Sequence, residues 1–274
     1  MRARRLSWAA ATAAGLLGLL SFSLAPSASA HQSSQSHPKP TVVLVHGAFA
    51  DASGWNGVVK RLLNDGYKVV APANPLRGLP QDATYIAGVL NNIKGPVVLV
   101  GHSYGGAVIT QAAAGDPDVK ALVYVAAFMP DRGETLGQLA ARSHDSQLQP
   151  ALRPAPFANA DGSTGTELTI DPAQFHKVFA ADLPASQTRI MAVEQRPISA
   201  SAFEDAPTAA AWHTIPSWAL VAKQDKAIGA DLERFEARRA GSHTVQVDGS
   251  HVVMISRPDV VTHLVETAAR TTAQ

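Results

Sequence analysis

Short apolar runs alternate with amphipathic stretches along most of the chain from Thr41 onwards. The apolar or alternating runs predict strands at 41–45, 67–71, 96–100, 119–128, 217–222 and 243–247. The amphipathic stretches predict helices at about 53–64, 81–93, 104–114, 231–240 and 258–269. Unbroken β-branched runs such as TVVLV are typical of strands buried on both faces. The pattern therefore predicts the α/β class, with a mostly parallel sheet of about six strands and helices on both faces.

The interval 131–213 departs from this alternation. It holds seven prolines and helix-like segments rather than strong strands. The Asp-Pro pair at 171–172 predicts a helix start, because an Asp cap followed by a first-turn proline is a common N-terminal signal. A long interval between two sheet strands indicates an insertion. We expect a helical cap here, on an α/β core formed by 41–130 and 214–274.

The first thirty residues have the pattern of a targeting segment rather than of a folded one. A basic start is followed by an apolar run rich in Ala and Leu, and the segment ends in Ala-Ser-Ala at 28–30. This pattern predicts an export signal peptide at 1–30, on the Sec or the twin-arginine route, and a secreted or periplasmic location. The alternative is a membrane anchor, but the apolar run is short and no stop-transfer pattern follows. Residues 31–40 form a polar lead-in that we expect to be flexible.

The charge balance changes once the leader is set aside. Removing the leader, with its three arginines and no acidic residue, takes the formal net charge from +1 to −2. No basic stripe remains that would indicate nucleic-acid binding. The chain has no cysteine, so its stability must come from the core. The ten histidines lack metal-ligand spacing, so we expect no metal.

The sequence GHSYG at 101–105 has the form G-x-S-x-G, between a predicted strand and a predicted helix. In that context the motif indicates a nucleophile elbow, in which a tight turn exposes the serine and only small neighbours fit on either side. Ser103 would then lie at the N-terminus of a helix, whose dipole favours developing negative charge. The alternative is a serine that merely forms a turn. We interpret Ser103 as the nucleophile.

A serine nucleophile needs a base, and the base needs an orienting acid. In α/β sheets of this kind the chain order is serine, acid, histidine. Asp225 follows the fifth predicted strand, and His251 follows the sixth. Both would reach the carboxyl edge of the sheet, where such folds place their sites. Asp131, after the fourth strand, is the rival acid.

The HGAF sequence at 46–49 follows the first predicted strand and would supply part of an oxyanion hole. Its backbone N–H groups would face Ser103 across the strand ends. The expected donors are the amides of Ala48 and Tyr104, the latter being the residue after the nucleophile. The alternative is a plain glycine turn.

With these motifs the sequence resembles the α/β-hydrolase superfamily, and within it the small esterase and hydroxynitrile lyase branch that includes plant methyl-salicylate esterases. HGAFADASGW, GHSYGG, the acid at 225 and GSHVVM carry the resemblance, which spans roughly 39–269. It implies an α/β-hydrolase fold with an inserted cap and catalysis without a cofactor. Lyases of that branch carry a threonine in the first loop and a lysine after the catalytic histidine. The corresponding positions here are Gly47 and Val252, which favours ester hydrolysis.

We therefore predict an exported serine hydrolase of the carboxylesterase type, acting on small to medium carboxylic esters through an acyl-enzyme. The same triad also permits lactone or amide hydrolysis, or perhydrolysis with peroxide in place of water. A lyase and a non-enzymatic ligand receptor are less favoured alternatives. The expected partner is a small-molecule ester, with no nucleic acid and no stable membrane anchor after signal cleavage. The oligomeric state stays open.

Overall fold

The structure is a computed structural model, which describes residues 39–272. The predicted export signal at 1–30 and most of the predicted lead-in at 31–40 lie outside the described residues. No helix between residues 39 and 272 is both long enough and apolar enough to cross a membrane.

A six-stranded parallel sheet forms the centre of this part of the chain. Residues 39–272 contain the strands β1 (Thr41–Val45), β2 (Val69–Val70), β3 (Val97–Ser103), β4 (Val119–Ala127), β5 (Leu152–Ala158), β6 (Thr164–Ile170), β7 (Ile198–Ser199), β8 (Ser217–Ala222) and β9 (His243–Val247). The central sheet has the order β2-β1-β3-β4-β8-β9, and every neighbouring pair is parallel. The predicted fold class is confirmed.

Burial follows the position of each strand in the sheet. Every residue of β1 and β3 is buried, as their unbroken apolar runs predict for strands covered on both faces. The outer strand β9 is largely exposed and alternates polar with apolar residues, as an edge strand should. At the other edge, the strand predicted at 67–71 is reduced to β2 and pairs only with β1.

The helices lie on both faces because the chain reverses direction across the sheet. They are α1 (Asn56–Asn64), α2 (Leu79–Asn91), α3 (Tyr104–Ala112), α4 (Leu136–Ala140), α5 (Leu148–Ala151), α6 (Pro172–Phe179), α7 (Ala185–Val193), α8 (Ala230–Arg239), α9 (Val253–Ser256) and α10 (Pro258–Thr271). The chain moves outwards from β1 to β2 and then back to β3, so right-handed crossovers place α1 and α2 on opposite faces. Helix α1 packs against α10, and α2 packs against α3.

The insertion at 131–213 contains a small sheet as well as helices. Helices α4 to α7 are joined there by the antiparallel sheet β5-β6-β7. The expectation of helix-like segments without strong strands is therefore wrong for this interval. Pro154 and Pro156 are part of β5, which lies at the edge of its sheet, where proline is tolerated. Gly162, at φ 85°, turns the chain from β5 into β6.

The carboxyl ends of the parallel strands set the place of the site. The strand order changes direction between β1 and β3, and open α/β sheets bind their ligands at such a switch point. The loops after β1, β3, β8 and β9 all leave from this edge of the sheet. These are the loops that carry the residues singled out in the sequence.

We expect Gly106→Ala to lower the free energy of unfolding by roughly 1–3 kcal/mol, the usual cost of overpacking. A Cβ at this position of α3 would collide with the backbone carbonyl oxygen of Phe128, which cannot move without disturbing the sheet. Gly88→Ala is the matched control, because Gly88 is exposed on α2 and no atom would lie within 4 Å of its new Cβ. That variant should gain up to about 1 kcal/mol from helix propensity. If urea unfolding showed the same change in free energy for both variants, the close packing of Gly106 on Phe128 would not restrict this position.

Candidate active site

Ser103 lies at the junction between β3 and α3. It is the last residue of β3, with φ 55° and ψ −126°, in the left-handed region that favours glycine. The chain passes directly into α3, whose first residue is Tyr104. The side chain of Ser103 is therefore presented at the N-terminus of a helix, where N–H groups without intrahelical acceptors favour negative charge.

Close backbone packing requires the two glycines on either side of the serine. A Cβ on Gly101 would lie 2.6 Å from the carbonyl oxygen of Gly105. A Cβ on Gly105 would lie 2.5 Å from the carbonyl oxygen of Val45, at the end of β1. Both distances are well inside van der Waals contact, so larger residues do not fit without shifting the turn. The G-x-S-x-G spacing is thus a packing requirement of the elbow.

The loop after β1 passes directly beside the serine. A Cβ on Gly47 would lie 2.6 Å from the Cβ of Ser103 and 3.2 Å from its Oγ. The backbone N–H of Ala48 makes no hydrogen bond within residues 39–272. The N–H of Tyr104 belongs to the first turn of α3, whose amides have no intrahelical acceptor. Both amides are free to donate to an oxygen atom held near Ser103.

His46 and Asn74 hold this loop in place through hydrogen bonds. Nε2 of His46 accepts a hydrogen bond from the backbone N–H of Asn74 at 2.9 Å, so Nδ1 carries the proton and donates to the carbonyl oxygen of Gly47 at 2.8 Å. The side-chain amide of Asn74 donates to the carbonyl oxygen of His46 at 3.0 Å. Burial lowers the pKa of His46, which keeps the ring in this neutral form.

Asp225 and His251 form a buried, hydrogen-bonded pair. Nδ1 of His251 donates to Oδ2 of Asp225 at 2.6 Å, and both residues are only 1% exposed. Oδ1 of Asp225 accepts from the backbone N–H groups of Ala227 and Ile228, at 2.6 and 3.1 Å. Burial opposes ionisation of Asp225, but the charge of His251 and the hydrogen bonds outweigh it and hold the pKa of the carboxyl below its usual range. Asp225 is therefore an oriented anion.

The rival acid does not reach this pair. Asp131 accepts a hydrogen bond from Nε2 of His213 at 2.9 Å, and both side chains are exposed at the surface. Of the two acids considered from the sequence, Asp225 is the one that contacts His251.

His102 joins the serine turn to the histidine loop. Its Nε2–H donates to the backbone carbonyl oxygen of His251 at 2.9 Å, and the centroids of the two rings are 4.7 Å apart. Burial lowers the pKa of His102 to about 3, so the ring is neutral. Nε2 of His251 is buried and has no hydrogen-bond partner among residues 39–272. His251 is thus held beside the elbow with one ring nitrogen free to accept a proton.

The insertion closes over the site. The ring of Phe179, on α6, lies 4.9 Å from that of His251 and 6.1 Å, edge to face, from that of Phe49. Asp182 accepts hydrogen bonds from the backbone N–H of Ser250, at 3.0 Å, and from its hydroxyl. The backbone N–H of Phe49 donates to a carbonyl oxygen of the insertion at 3.2 Å. These contacts tie the insertion to both loops and leave the serine only 7% exposed.

Two cavities are lined by residues that adjoin the site. One, of about 300 Å³, is lined by residues that include Phe49, Asp51, Gln187, Met191, Val252 and Met254. The other, of about 530 Å³, is lined by residues that include Phe128, Leu148, Leu152, Leu168, Phe203 and Ala227. Neither is lined by Ser103, but each reaches residues next to the site. Val252 follows His251, and the N–H of Phe128 donates to the carbonyl oxygen of Ser103 at 3.2 Å.

Three residues that support the site were not predicted. Asn74 lies in a proline-rich loop, where a polar residue is ordinary, and its partner is 28 positions away. Asp182 belongs to the insertion, whose packing the sequence pattern did not reveal. Glu233 is on α8, in the stretch DLERFEARR, which is typical of an exposed helix. Each acts through a contact between distant parts of the chain, for which local patterns give no signal.

Helix α8 carries two buried glutamates toward the sheet. Glu233 is 3% exposed and Glu236 is fully buried. Oε1 of Glu236 accepts a hydrogen bond from the backbone N–H of Met129 at 2.7 Å. Burial raises the pKa of Glu236 to about 8, against the opposing effects of that hydrogen bond and of the nearby Arg239. Glu236 is thus mainly protonated at neutral pH.

This burial predicts a stability that falls as the pH rises. Between about pH 4.5 and about pH 8 the folded chain holds a proton on Glu236 that the unfolded chain releases. The stability that this group contributes is fully present below that range and is lost as the pH rises to about 8. Glu236→Gln keeps the acceptor for Met129 and should make the fall shallower, by at most about 5 kcal/mol at 1.36 kcal/mol per pKa unit. Thermal unfolding of both proteins across the range measures the difference. If the stability of both proteins fell equally with rising pH, Glu236 would not be the source of the fall.

Comparison with known proteins agrees with the fold and the motifs. Residues 42–264 match the family described as "Alpha/beta hydrolase family". The alpha/beta hydrolase nvfD of Aspergillus novofumigatus (strain IBT 16806) is 26% identical over 252 residues, which cover 84% of this chain and 97% of that protein. The carbendazim hydrolyzing esterase of Nocardioides sp. (strain SG-4G) is 37% identical over 109 residues, 34% of this chain and 44% of that protein.

A solved structure shows the same fold at low sequence identity. The crystal structure of polyneuridine aldehyde esterase aligns with a TM-score of 0.72 at 20% identity, over 84% of this chain and 99% of that chain. At this identity the likeness shows the fold alone. Because the family match extends over most of the described residues, the chain belongs to the alpha/beta hydrolase family.

Proposed function

We propose that the protein is a serine hydrolase that cleaves carboxylic esters with Ser103, His251 and Asp225. The observation that carries the proposal is the buried Asp225–His251 pair, whose unpaired Nε2 belongs to a loop that His102 ties to the strained turn at Ser103. Membership of the alpha/beta hydrolase family supports a carboxylic ester hydrolase. So does the similarity to a carbendazim hydrolyzing esterase, which is 37% identical over 109 residues.

Acylation begins with attack by the serine oxygen on the ester carbonyl carbon. Nε2 of His251 takes the hydroxyl proton as the bond forms, and Asp225 holds the opposite ring nitrogen in its protonated form. The carbonyl oxygen becomes an oxyanion, which the N–H groups of Ala48 and Tyr104 stabilise. The ester C–O bond then breaks, and the alcohol leaves with the proton from His251. The acyl group stays on Ser103.

Deacylation repeats the sequence with water. His251 removes a proton from a water molecule as its oxygen attacks the acyl carbon, and the same two amides hold the second oxyanion. Collapse releases the carboxylic acid and returns the proton to Ser103. Neither step calls for a metal or an organic cofactor.

The size and lining of the cavities support small to medium esters as substrates. Volumes of about 300 and 530 Å³ fall in the lower half of the range typical of ligand pockets, and both linings are largely apolar. We propose that the acyl and alcohol parts of the ester divide between the two cavities, because one is lined by Val252, which follows His251, and the other by Phe128, whose N–H bonds the Ser103 carbonyl oxygen. Val252 is buried and uncharged, and a threonine at position 47 would collide with Ser103. Both facts favour hydrolysis over the lyase chemistry of the same branch.

Ser103→Ala should abolish ester hydrolysis while leaving the fold intact. With p-nitrophenyl acetate, butyrate, octanoate and dodecanoate as substrates, we expect kcat to fall on the order of 10⁴–10⁶-fold. The wild-type rate should decline toward dodecanoate, because its acyl chain exceeds the cavities. Ser217→Ala is the matched control, since Ser217 is also buried but lies at the start of β8, with its hydroxyl 2.6 Å from that of Ser242. Equal rates for wild type and Ser103→Ala would exclude Ser103 as the nucleophile for these esters.

We also propose that the protein is exported and acts outside the cytoplasm. The support is in the sequence: the basic start, the apolar run and the Ala-Ser-Ala ending at 28–30. N-terminal sequencing of protein collected from the periplasm or medium of a bacterial host should give a chain that begins at His31. A chain that stays inside the cells with Met1 in place would contradict the export proposal and leave the catalytic one untouched.

A further inference from the structure

We propose that Glu233 is a positioning residue for this reaction, which as a neutral carboxylic acid donates a hydrogen bond to the Asp225 carboxylate. The inference rests on the proposed function, because it adds a fourth buried group behind Ser103, His251 and Asp225. Within residues 39–272 the Glu233 side chain accepts a hydrogen bond from Ala222, and neither Ser103 nor His251 is a hydrogen-bond partner. It would act through Asp225 alone.

The two carboxyl groups are fixed by the same residue at the end of β8. Oε2 of Glu233 accepts a hydrogen bond from the backbone N–H of Ala222 at 2.9 Å. The carbonyl oxygen of Ala222 accepts from the backbone N–H of Asp225 at 3.0 Å. Both carboxyl groups are buried, and a hydrogen bond between the two side chains contributes to the raised pKa of Glu233 and to the lowered pKa of Asp225. Since two carboxylates in contact repel, one of them must hold a proton.

The surrounding donors decide which carboxyl is ionised. Asp225 receives two backbone N–H groups on Oδ1 and the imidazole N–H of His251 on Oδ2. Glu233 receives only one N–H, and its Oε1 is buried with no hydrogen-bond partner within residues 39–272. An unpaired buried carboxylate oxygen is costly, whereas an O–H at Oε1 gives Asp225 a further donor. The charge therefore belongs on Asp225 and the proton on Glu233.

The acidic groups near Glu233 also favour its protonated form. The acidic groups that affect it most are the Asp225 carboxylate and, when it is ionised, Glu236. Together with burial, they raise the pKa of Glu233 well above its usual range. None of the ion pairs within the described residues involves Glu233.

A neutral Glu233 has a consequence for the base. Its hydrogen bond spreads the charge of Asp225 and moderates the attraction of that carboxylate for a proton on His251. If Glu233 were ionised, a second negative charge would favour the imidazolium and hold the base in its inactive form. The neutral acid thus orients Asp225 without adding charge, and it lets Nε2 of His251 accept the serine proton.

Two substitutions separate hydrogen bonding from bulk. Glu233→Gln keeps a neutral N–H donor for Asp225 and an acceptor for Ala222. Glu233→Leu keeps the approximate volume and removes both groups. Glu236→Gln is the matched control, because Glu236 is a buried glutamate of the same helix that bonds Met129 instead. The readout is the pH profile of kcat/KM for p-nitrophenyl butyrate, whose acidic limb reports protonation of the base.

We expect Glu233→Gln and Glu236→Gln to keep the wild-type acidic limb. Glu233→Leu should lose about tenfold in kcat, and its acidic limb should move up by about one pH unit. A downward move in Glu233→Gln would mean that Glu233 is an anion in the wild type, and it would overturn the inference. So would a Glu233→Leu variant that melts at a lower temperature but keeps the wild-type kcat and acidic limb.

Infrared spectroscopy shows whether Glu233 holds a proton in the resting protein, without any measurement of catalysis. In the Glu236→Gln background at neutral pH, a buried carboxylic acid C=O band should be present, and it should vanish when Glu233→Gln is added. Absence of the band in an active enzyme would overturn the inference. A band in a protein that hydrolyses no ester would instead count against the proposed function, because the protonated pair would still be there.

Discussion

The structure depends on the tight turn that carries Ser103 from β3 into α3. A non-glycine residue with φ 55° costs on the order of 1–3 kcal/mol, and the surrounding contacts hold it there. Gly105 packs on the end of β1, Gly47 packs on Ser103 itself, and the N–H of Phe128 bonds the serine carbonyl oxygen. Because these contacts involve the ends of β1, β3 and β4, the strained turn depends on the assembled sheet. The same contacts bring the first loop and its free amides beside the serine hydroxyl.

Burial then governs the charge state of everything around the turn. His46 and His102 are kept neutral, so that each supports a loop by hydrogen bonds without bringing a charge near the reacting atoms. The one anion in contact with His251 is Asp225, which is stabilised by backbone amides and by the imidazole. A single buried charge that is fully hydrogen-bonded can be tolerated, whereas a second would repel it. The inserted segment completes this environment by covering the imidazole with Phe179 and fixing Ser250 through Asp182.

Sequence patterns predicted the parts of the molecule that depend on local rules. The buried strands, the elbow glycines and the start of α6 at Asp171 follow from periodicity, close packing and capping. The first helix was predicted from about 53, but residues 52–55 form a 3₁₀ turn capped by Asp51 and the α-helix begins at Asn56. The hairpin of the insertion was hidden by prolines at an edge. The partnerships of Asn74 and Glu233 join distant segments, and neither has a local signature. The catalytic roles of Ser103, Asp225 and His251 stay predictions that the geometry supports.

The most direct measurement is to label the protein with a phosphonofluoridate, which forms a covalent bond only with an activated serine, and to locate the adduct by peptide mass spectrometry. The account predicts one adduct, on Ser103, formed much more slowly in Asp225→Asn because the imidazole loses its orienting acid. An adduct on another serine, or ester hydrolysis by a protein whose Ser103 stays unlabelled, would contradict the claim that Ser103 is the nucleophile activated by His251 and Asp225.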